Sequence, residues 1–187
     1  MKHSNKSIWL VTALGLLATA CPQEGVGDPC TPEDEYRAEF NGYGIKEVNV
    51  ESRSFQCVTR ICLVNHFQGR VSCPYGQTEE VAAAEATSGT VDASGCAIPG
   101  DTKPVTVAVQ PQLDGRRPSD AVYCSCRCAG PDKDANYCEC PSGYSCTKLV
   151  DDLGLGRGQL SGSYCIKKGT AYATTDAYGS DCIRPAA

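Results

Sequence analysis

The stretch YCSCRCAGPDKDANYCECPSGYSC, residues 123–146, holds six cysteines in 24 residues. Cysteine at that density supports three chemistries: thiolate ligation of a metal, redox exchange, or disulfide cross-linking. Spacing separates them. Structural zinc sites and thioredoxin-type exchangers are built most often on C-x-x-C, which the chain lacks; Cys124, Cys126 and Cys128 form C-x-C-x-C instead, with no histidine nearby. No metal and no cofactor are therefore expected. On one strand the three side chains would share a face with neighbouring Cα atoms roughly 6.6 Å apart, a separation that directs each of them to a partner in another segment. The turn formers of AGPDKDANY (129–137) return the chain, so that Cys138 and Cys140 would face Cys128 and Cys126. The expectation is a stapled hairpin whose flanks are tied by Cys124, Cys146, Cys165 and Cys182.

Other residues that could do chemistry are sparse. Asp132-x-Asp134-x-Asn136 copies the first three ligand positions of an EF-hand loop, but Tyr137 stands where glycine is required and Gly143 where the twelfth-position glutamate belongs. A solvated turn is expected there. His66, in Asn65-His66-Phe67, is the only histidine beyond residue 20, and a lone histidine beside phenylalanine reads as packing rather than as a general base. Gly154-Leu155-Gly156-Arg157-Gly158 lacks the preceding strand and spacing of a nucleotide loop, and G-x-S-x-G and H-E-x-x-H do not occur. The chain is expected to be no enzyme. Tyr123, Tyr137, Tyr144 and Tyr164 could line a groove that stacks sugars, or could shield disulfides.

The elements that position these residues begin with an address. Lys2 and Lys6 precede the apolar run Ile8–Ala20, too short for a membrane span and flanked as an export signal is. The run meets Cys21 directly, and Leu17-Ala18-Thr19-Ala20-Cys21 resembles the bacterial lipobox, whose cysteine is diacylated and becomes the first mature residue. Ala18-Thr19-Ala20 also satisfies the small-x-small rule for ordinary cleavage before Cys21. Removing residues 1–20 takes both lysines and moves the formal charge from −5 to −7. An acidic chain with no basic run does not suit nucleic acid and has no electrostatic pull on anionic headgroups. Membrane attachment must then be covalent, through the lipid on Cys21. Pro22 rather than Asp after that cysteine favours sorting to the outer membrane.

Cysteine parity bears on the same point. With Cys21 acylated, thirteen of the fourteen cysteines remain as disulfide candidates: Cys30, Cys57, Cys62, Cys73 and Cys96 in one half, and Cys124, Cys126, Cys128, Cys138, Cys140, Cys146, Cys165 and Cys182 in the other. Thirteen leaves one odd thiol, whereas ordinary cleavage leaves an even fourteen. An exported compartment is oxidising, so disulfides are the default. They are also needed: the only Trp (Trp9) and only Met (Met1) leave with the signal, only three phenylalanines remain, and the full chain carries 19 Gly and 11 Pro. The fold class expected is small, disulfide-rich and mainly β with short helices, without a large apolar core.

Local patterns fill in the elements. Thr31-Pro32-Glu33-Asp34-Glu35 reads as a short helix start, and Thr78–Thr87 as a helix capped by Thr78 and stopped at Ser88-Gly89. Ile45–Val58 suggests strands around an ESRS turn, and residues 56–77 the core of the first half. The alternation Val105, Val107, Val109 gives the clearest strand, ended by Pro111. The polar Asp114–Asp120 stretch divides the cysteines, giving an organisation of 1–20 signal, 21–35 lipidated tether, 36–113 N-terminal subregion and 114–187 C-terminal Cys-rich subregion.

Two resemblances accompany this reading. Cys138-Glu139-Cys140-Pro141-Ser142-Gly143-Tyr144-Ser145-Cys146 resembles the end of an EGF-like module, with the last cysteine too close, and implies a similar local turn. The lipobox-like start, the GDPCTPEDEY tether and the cysteine density together resemble cysteine-rich envelope lipoproteins of the myxobacterial type. That resemblance implies the cell envelope and no particular activity. A rigid, cross-linked surface with exposed tyrosines and loops suits a role in structure or in contact with an envelope protein; binding of a small ligand or glycan, or metal-thiolate chemistry, stands as the alternative.

Overall fold

The structure is a computed structural model and describes residues 24–152, 160–174 and 181–184. The export-signal run, Cys21 and Gly154–Gly158 lie outside the described residues. The chain is a small, disulfide-rich, mainly β protein: the described residues form two three-stranded antiparallel sheets, a few short helices and six disulfides. Among the described residues no helix is long and apolar enough to cross a membrane.

The first sheet runs β1 (Val48–Glu51), β2 (Ile61–Asn65) and β3 (Val122–Ser125) in that order, with Leu63 opposite both Val50 and Tyr123. Both of its faces are buried. Leu63 and Tyr123 pack toward the second sheet with Tyr164 and Ile166, while Cys62, Val64, Val122 and Cys124 pack on the opposite side with Cys30, Cys57, Tyr43 and Phe67. Burial on both faces is why Ile61–Asn65 and Val122–Ser125 read as unbroken runs rather than as alternation. Because β3 completes a sheet begun by β1 and β2, residues on either side of the expected 113/114 division share one sheet and one core.

The second sheet has the order β4 (Arg127–Ala129), β6 (Gly162–Lys167), β5 (Tyr144–Val150). Tyr164 and Ile166 face the shared core, and the Tyr123 hydroxyl accepts from Lys167 N at 3.0 Å, tying the sheets together. The expected single strand through Cys124, Cys126 and Cys128 is broken at Cys126, where the chain passes from one sheet to the other. The three cysteines therefore do not share a face.

Helix α1 (Glu79–Ser88) forms where its caps predict: Thr78 Oγ1 accepts from Val81 N, and Gly89 closes the helix at φ +71°, where a glycine carries no Cβ penalty. The Glu33–Tyr36 segment makes only one 3₁₀ turn. Residues Val105 to Val109 bend at Val107, bury Val105 and Val109, and belong to neither sheet, Val109 making an isolated bridge with Gln77. The Gln77 side chain occupies part of the partner's place: Nε2 donates to the carbonyls of Val105 and Val107 at 2.8 and 2.7 Å, and Oε1 accepts from Cys96 N at 2.7 Å. Satisfied by a side chain, that backbone needs no neighbouring strand.

Buried charge completes the first half. Glu35 and Arg70 are both fully buried; the Glu35 carboxylate accepts from Val71 N, Ser72 N and Ser72 Oγ, and Arg70 donates to the carbonyls of Glu35 and Phe40. Arg116 does similar work nearer the second sheet, donating to the carbonyls of Asn65, His66 and Thr170.

Candidate functional site

Twelve cysteines form six bridges, Cys30–Cys62, Cys57–Cys124, Cys73–Cys96, Cys126–Cys138, Cys128–Cys146 and Cys140–Cys165, with Cα separations between 5.4 and 6.2 Å. Those separations sit inside the roughly 4.4–6.8 Å that a disulfide spans. One structural rule recurs in both sheets. Cys62 and Cys124 are direct partners across β2 and β3, as Cys146 and Cys165 are across β5 and β6, yet none of the four bonds its opposite number. Cys62, Cys124 and Cys165 reach out of the sheet and strap another segment onto it, whereas Cys146 bonds Cys128 on β4, across β6 within the same sheet.

The hairpin pairing differs from the expectation. Cys138 N donates to Arg127 O at 3.1 Å, so the returning chain does lie beside β4 there, and Cys138 bonds Cys126. Beyond that point β6 takes up the ladder of β4, and Cys140 lands over β6 and bonds Cys165 rather than Cys126. Cys128 is left to Cys146 on β5. Cys124 ties its flank by reaching back to Cys57 in the first half. Cys182, counted among the disulfide candidates, is a free thiol.

Close packing of straps brings sulfurs together: Cys165 Sγ lies 3.5 Å from Cys126 Sγ and 3.7 Å from Cys138 Sγ. Cys30, Cys57 and Cys124 make a similar trio in the first half. All of these sulfurs are spent in disulfides, and a disulfide sulfur offers a metal no thiolate. The free Cys182 thiol stands 3.2 Å from Asp114 Oδ1; burial, then its hydrogen bond to that carboxylate and the carboxylate's charge, push its pKa up. A raised pKa keeps it protonated and a poor nucleophile.

His66 is held at φ +56°, its Nδ1–H donating to Ile45 O at 3.1 Å and its ring stacked on Tyr172 at 4.0 Å. Burial is the main cause that lowers its pKa. The Asp132 turn is internally satisfied, with Asp134 N on Asp132 Oδ1 and the Tyr137 hydroxyl on Asp132 O. Of the four tyrosines considered for stacking sugars, Tyr123 and Tyr164 are in the core.

What sequence reasoning missed is a surface. Residues 52–60, between β1 and β2, form a closed loop: Ser54 N donates to Arg60 O, Arg60 N to Cys57 O, and Cys57 is bridged to Cys124. The Gln56 amide clamps it to Thr31, accepting from Thr31 N at 3.0 Å and donating to Thr31 O at 2.7 Å. From this pinned frame Phe55 projects 87 % exposed and Val58 69 % exposed, with the Arg60 guanidinium 4.6 Å from the Phe55 ring centroid. Reading Phe55 and Cys57 as strand residues of one face hid this: in the loop the buried positions are Ser54 and Cys57, three apart, and Phe55 turns outward. Comparison with family models, with curated proteins and with solved structures finds no match to the chain.

Proposed function

We propose that the chain is an exported, lipid-anchored and disulfide-stapled protein of the bacterial cell envelope, sorted to the outer membrane, which acts without catalysis in structure or protein contact. The observation that carries this reading is the cysteine balance. Six bridges consume twelve of fourteen cysteines and leave Cys182 and Cys21. With Cys21 acylated, thirteen cysteines remain, and Cys182 is the one thiol left over. Six bridges in so short a chain also suit an oxidising compartment exposed to proteases, since each typically contributes about 2–4 kcal/mol.

The non-catalytic part rests on chemistry. His66 is engaged with Ile45 O and stacked on Tyr172, and Cys182 is held as a thiol. The test is the intact mass of the protein from native membranes, alkylated with and without reduction. Acyl mass on Cys21, one label before reduction and twelve more after it are expected. An unacylated Cys21 that bonds Cys182, with no label before reduction, overturns the anchor. A hydrolase activity that His66→Ala abolishes overturns the non-catalytic role.

A further inference from the structure

The exposed loop lies where the anchored chain meets the folded body. Described structure begins at Glu24, three residues after Cys21. Gly25, at φ +83°, packs on the loop so closely that a methyl placed on it would meet Val58 Cβ at 3.0 Å. The base of this segment is fixed: Gly27 N donates to Cys124 O and Cys124 N to Asp28 O, both at 2.8 Å, and Cys30 is bridged to Cys62. Four Cα steps separate Cys21 from Gly25. At about 3.6 Å per residue they reach no more than about 14 Å.

We propose that Phe55 and Val58 are a membrane-facing wedge, inserted at the interface of the bilayer in which Cys21 is anchored. The inference rests on the anchor reading and adds an orientation to it: the edge that carries Gly25 and the 52–60 loop faces lipid. An anchor within about 14 Å of Gly25, which packs on Val58, holds this loop near headgroup depth. The residue types suit that depth. Phe55 and Val58 offer apolar surface for the acyl boundary, and the Arg60 guanidinium over the Phe55 ring supplies a cation at phosphate level, with Arg53 in the same groove. Glu33 and Glu51 line that groove too, so the face carries no net cationic pull and engages lipid only because the anchor brings it there. Rigidity separates the wedge from a loose loop: Cys57–Cys124, the Ser54–Arg60 backbone bond and the Gln56 clamp hold Phe55 outward before any membrane is met.

The test uses the fact that the only tryptophan, Trp9, precedes Cys21. In the mature chain, Phe55→Trp is therefore the sole tryptophan, excited selectively over the tyrosines at their red absorption edge, and Ile183→Trp, at a site 81 % exposed, is its control. Each lipidated variant is reconstituted into vesicles of phosphatidylethanolamine and phosphatidylglycerol with brominated acyl chains, and the mass of Cys21 is read on the same sample. With Cys21 acylated, a blue shift and quenching at least about threefold stronger at position 55 than at 183 are expected for interfacial insertion. Equal quenching at the two sites with Cys21 acylated overturns the wedge and leaves the anchor standing. An unacylated Cys21 overturns both.

Discussion

The two sheets reach stability by different means. The first is buried on both faces: Leu63 and Tyr123 pack toward the other sheet, Val64, Val122 and two bridges pack behind, and Glu35, Arg70 and Arg116 satisfy the surrounding backbone from inside. The second has one apolar face, contributed largely by Tyr164 and Ile166. Its outer edge strand β5 runs exposed from Ser145 to Lys148, and Cys165 is covered by a disulfide strap rather than by apolar side chains. Three bridges lie within residues 126–165. Cross-links therefore take over where a segment is too short and polar to bury its own surface, as the size dependence of burial requires.

The largest expected effect breaks that contrast directly. Replacing the six cysteines of Cys126–Cys138, Cys128–Cys146 and Cys140–Cys165 by serine removes about 2–5 kcal/mol per bridge. Hydrogen exchange should then find residues 127–167 unprotected while 48–65 and 122–125 keep their protection. Simultaneous loss in both regions would mean that the shared core, and not the bridges, carries the second sheet.

Arg70→Ala comes next. It leaves the buried Glu35 carboxylate without its cation and orphans carbonyls of Glu35 and Phe40, at a cost of about 3–5 kcal/mol in chemical denaturation with all bridges intact. A cost below about 1 kcal/mol would shift the first half's stability onto its disulfides as well.

A smaller effect separates the regions by pH. The His66 pKa is lowered in the fold, first by burial and also by the nearby Arg116 charge, against the opposing pull of the Ile45 carbonyl. Below its ordinary value of 6.5 the unfolded chain binds a proton that the folded chain does not, so stability falls as pH drops through that window and is recovered above it. His66→Asn, which tolerates the positive φ at this position, should flatten the decline in Tm on acidification below about pH 6.5. An unchanged slope would assign the acid sensitivity to other groups.

The smallest effect is expected at the wedge. Phe55→Ser alters a side chain 87 % exposed and outside both apolar clusters, so the change in unfolding free energy in detergent-free buffer should stay within about 0.5 kcal/mol. A larger loss would show that the loop is part of the first sheet's support.

Much of this architecture was legible in local chemistry. Thr78 and Gly89 bracket α1 because a cap hydrogen bond and a left-handed stop are decided within a few residues. The mainly β, cysteine-stapled character followed from cysteine number, thin aromatic content and an export-like start. The strand expected at Val105–Val109 did not join a sheet because a distant glutamine met its carbonyls, and a contact between residues 28 positions apart leaves no periodic trace. No local pattern singles out Arg70 or Arg116; only the fold encloses them with carbonyl groups to bind.

By itself the sequence determined how many cysteines exist, that acylating Cys21 would leave an odd number of them, and that apolar content is too thin to stand without cross-links. Which sulfurs meet was decided by tertiary structure alone. Cys124, Cys126 and Cys128 are two residues apart, yet they bond Cys57, Cys138 and Cys146, because the chain changes sheets at Cys126 and each strand offers its cysteine to a different neighbour. Connectivity depends on which segments pack together across tens of residues, and spacing along the chain does not encode it.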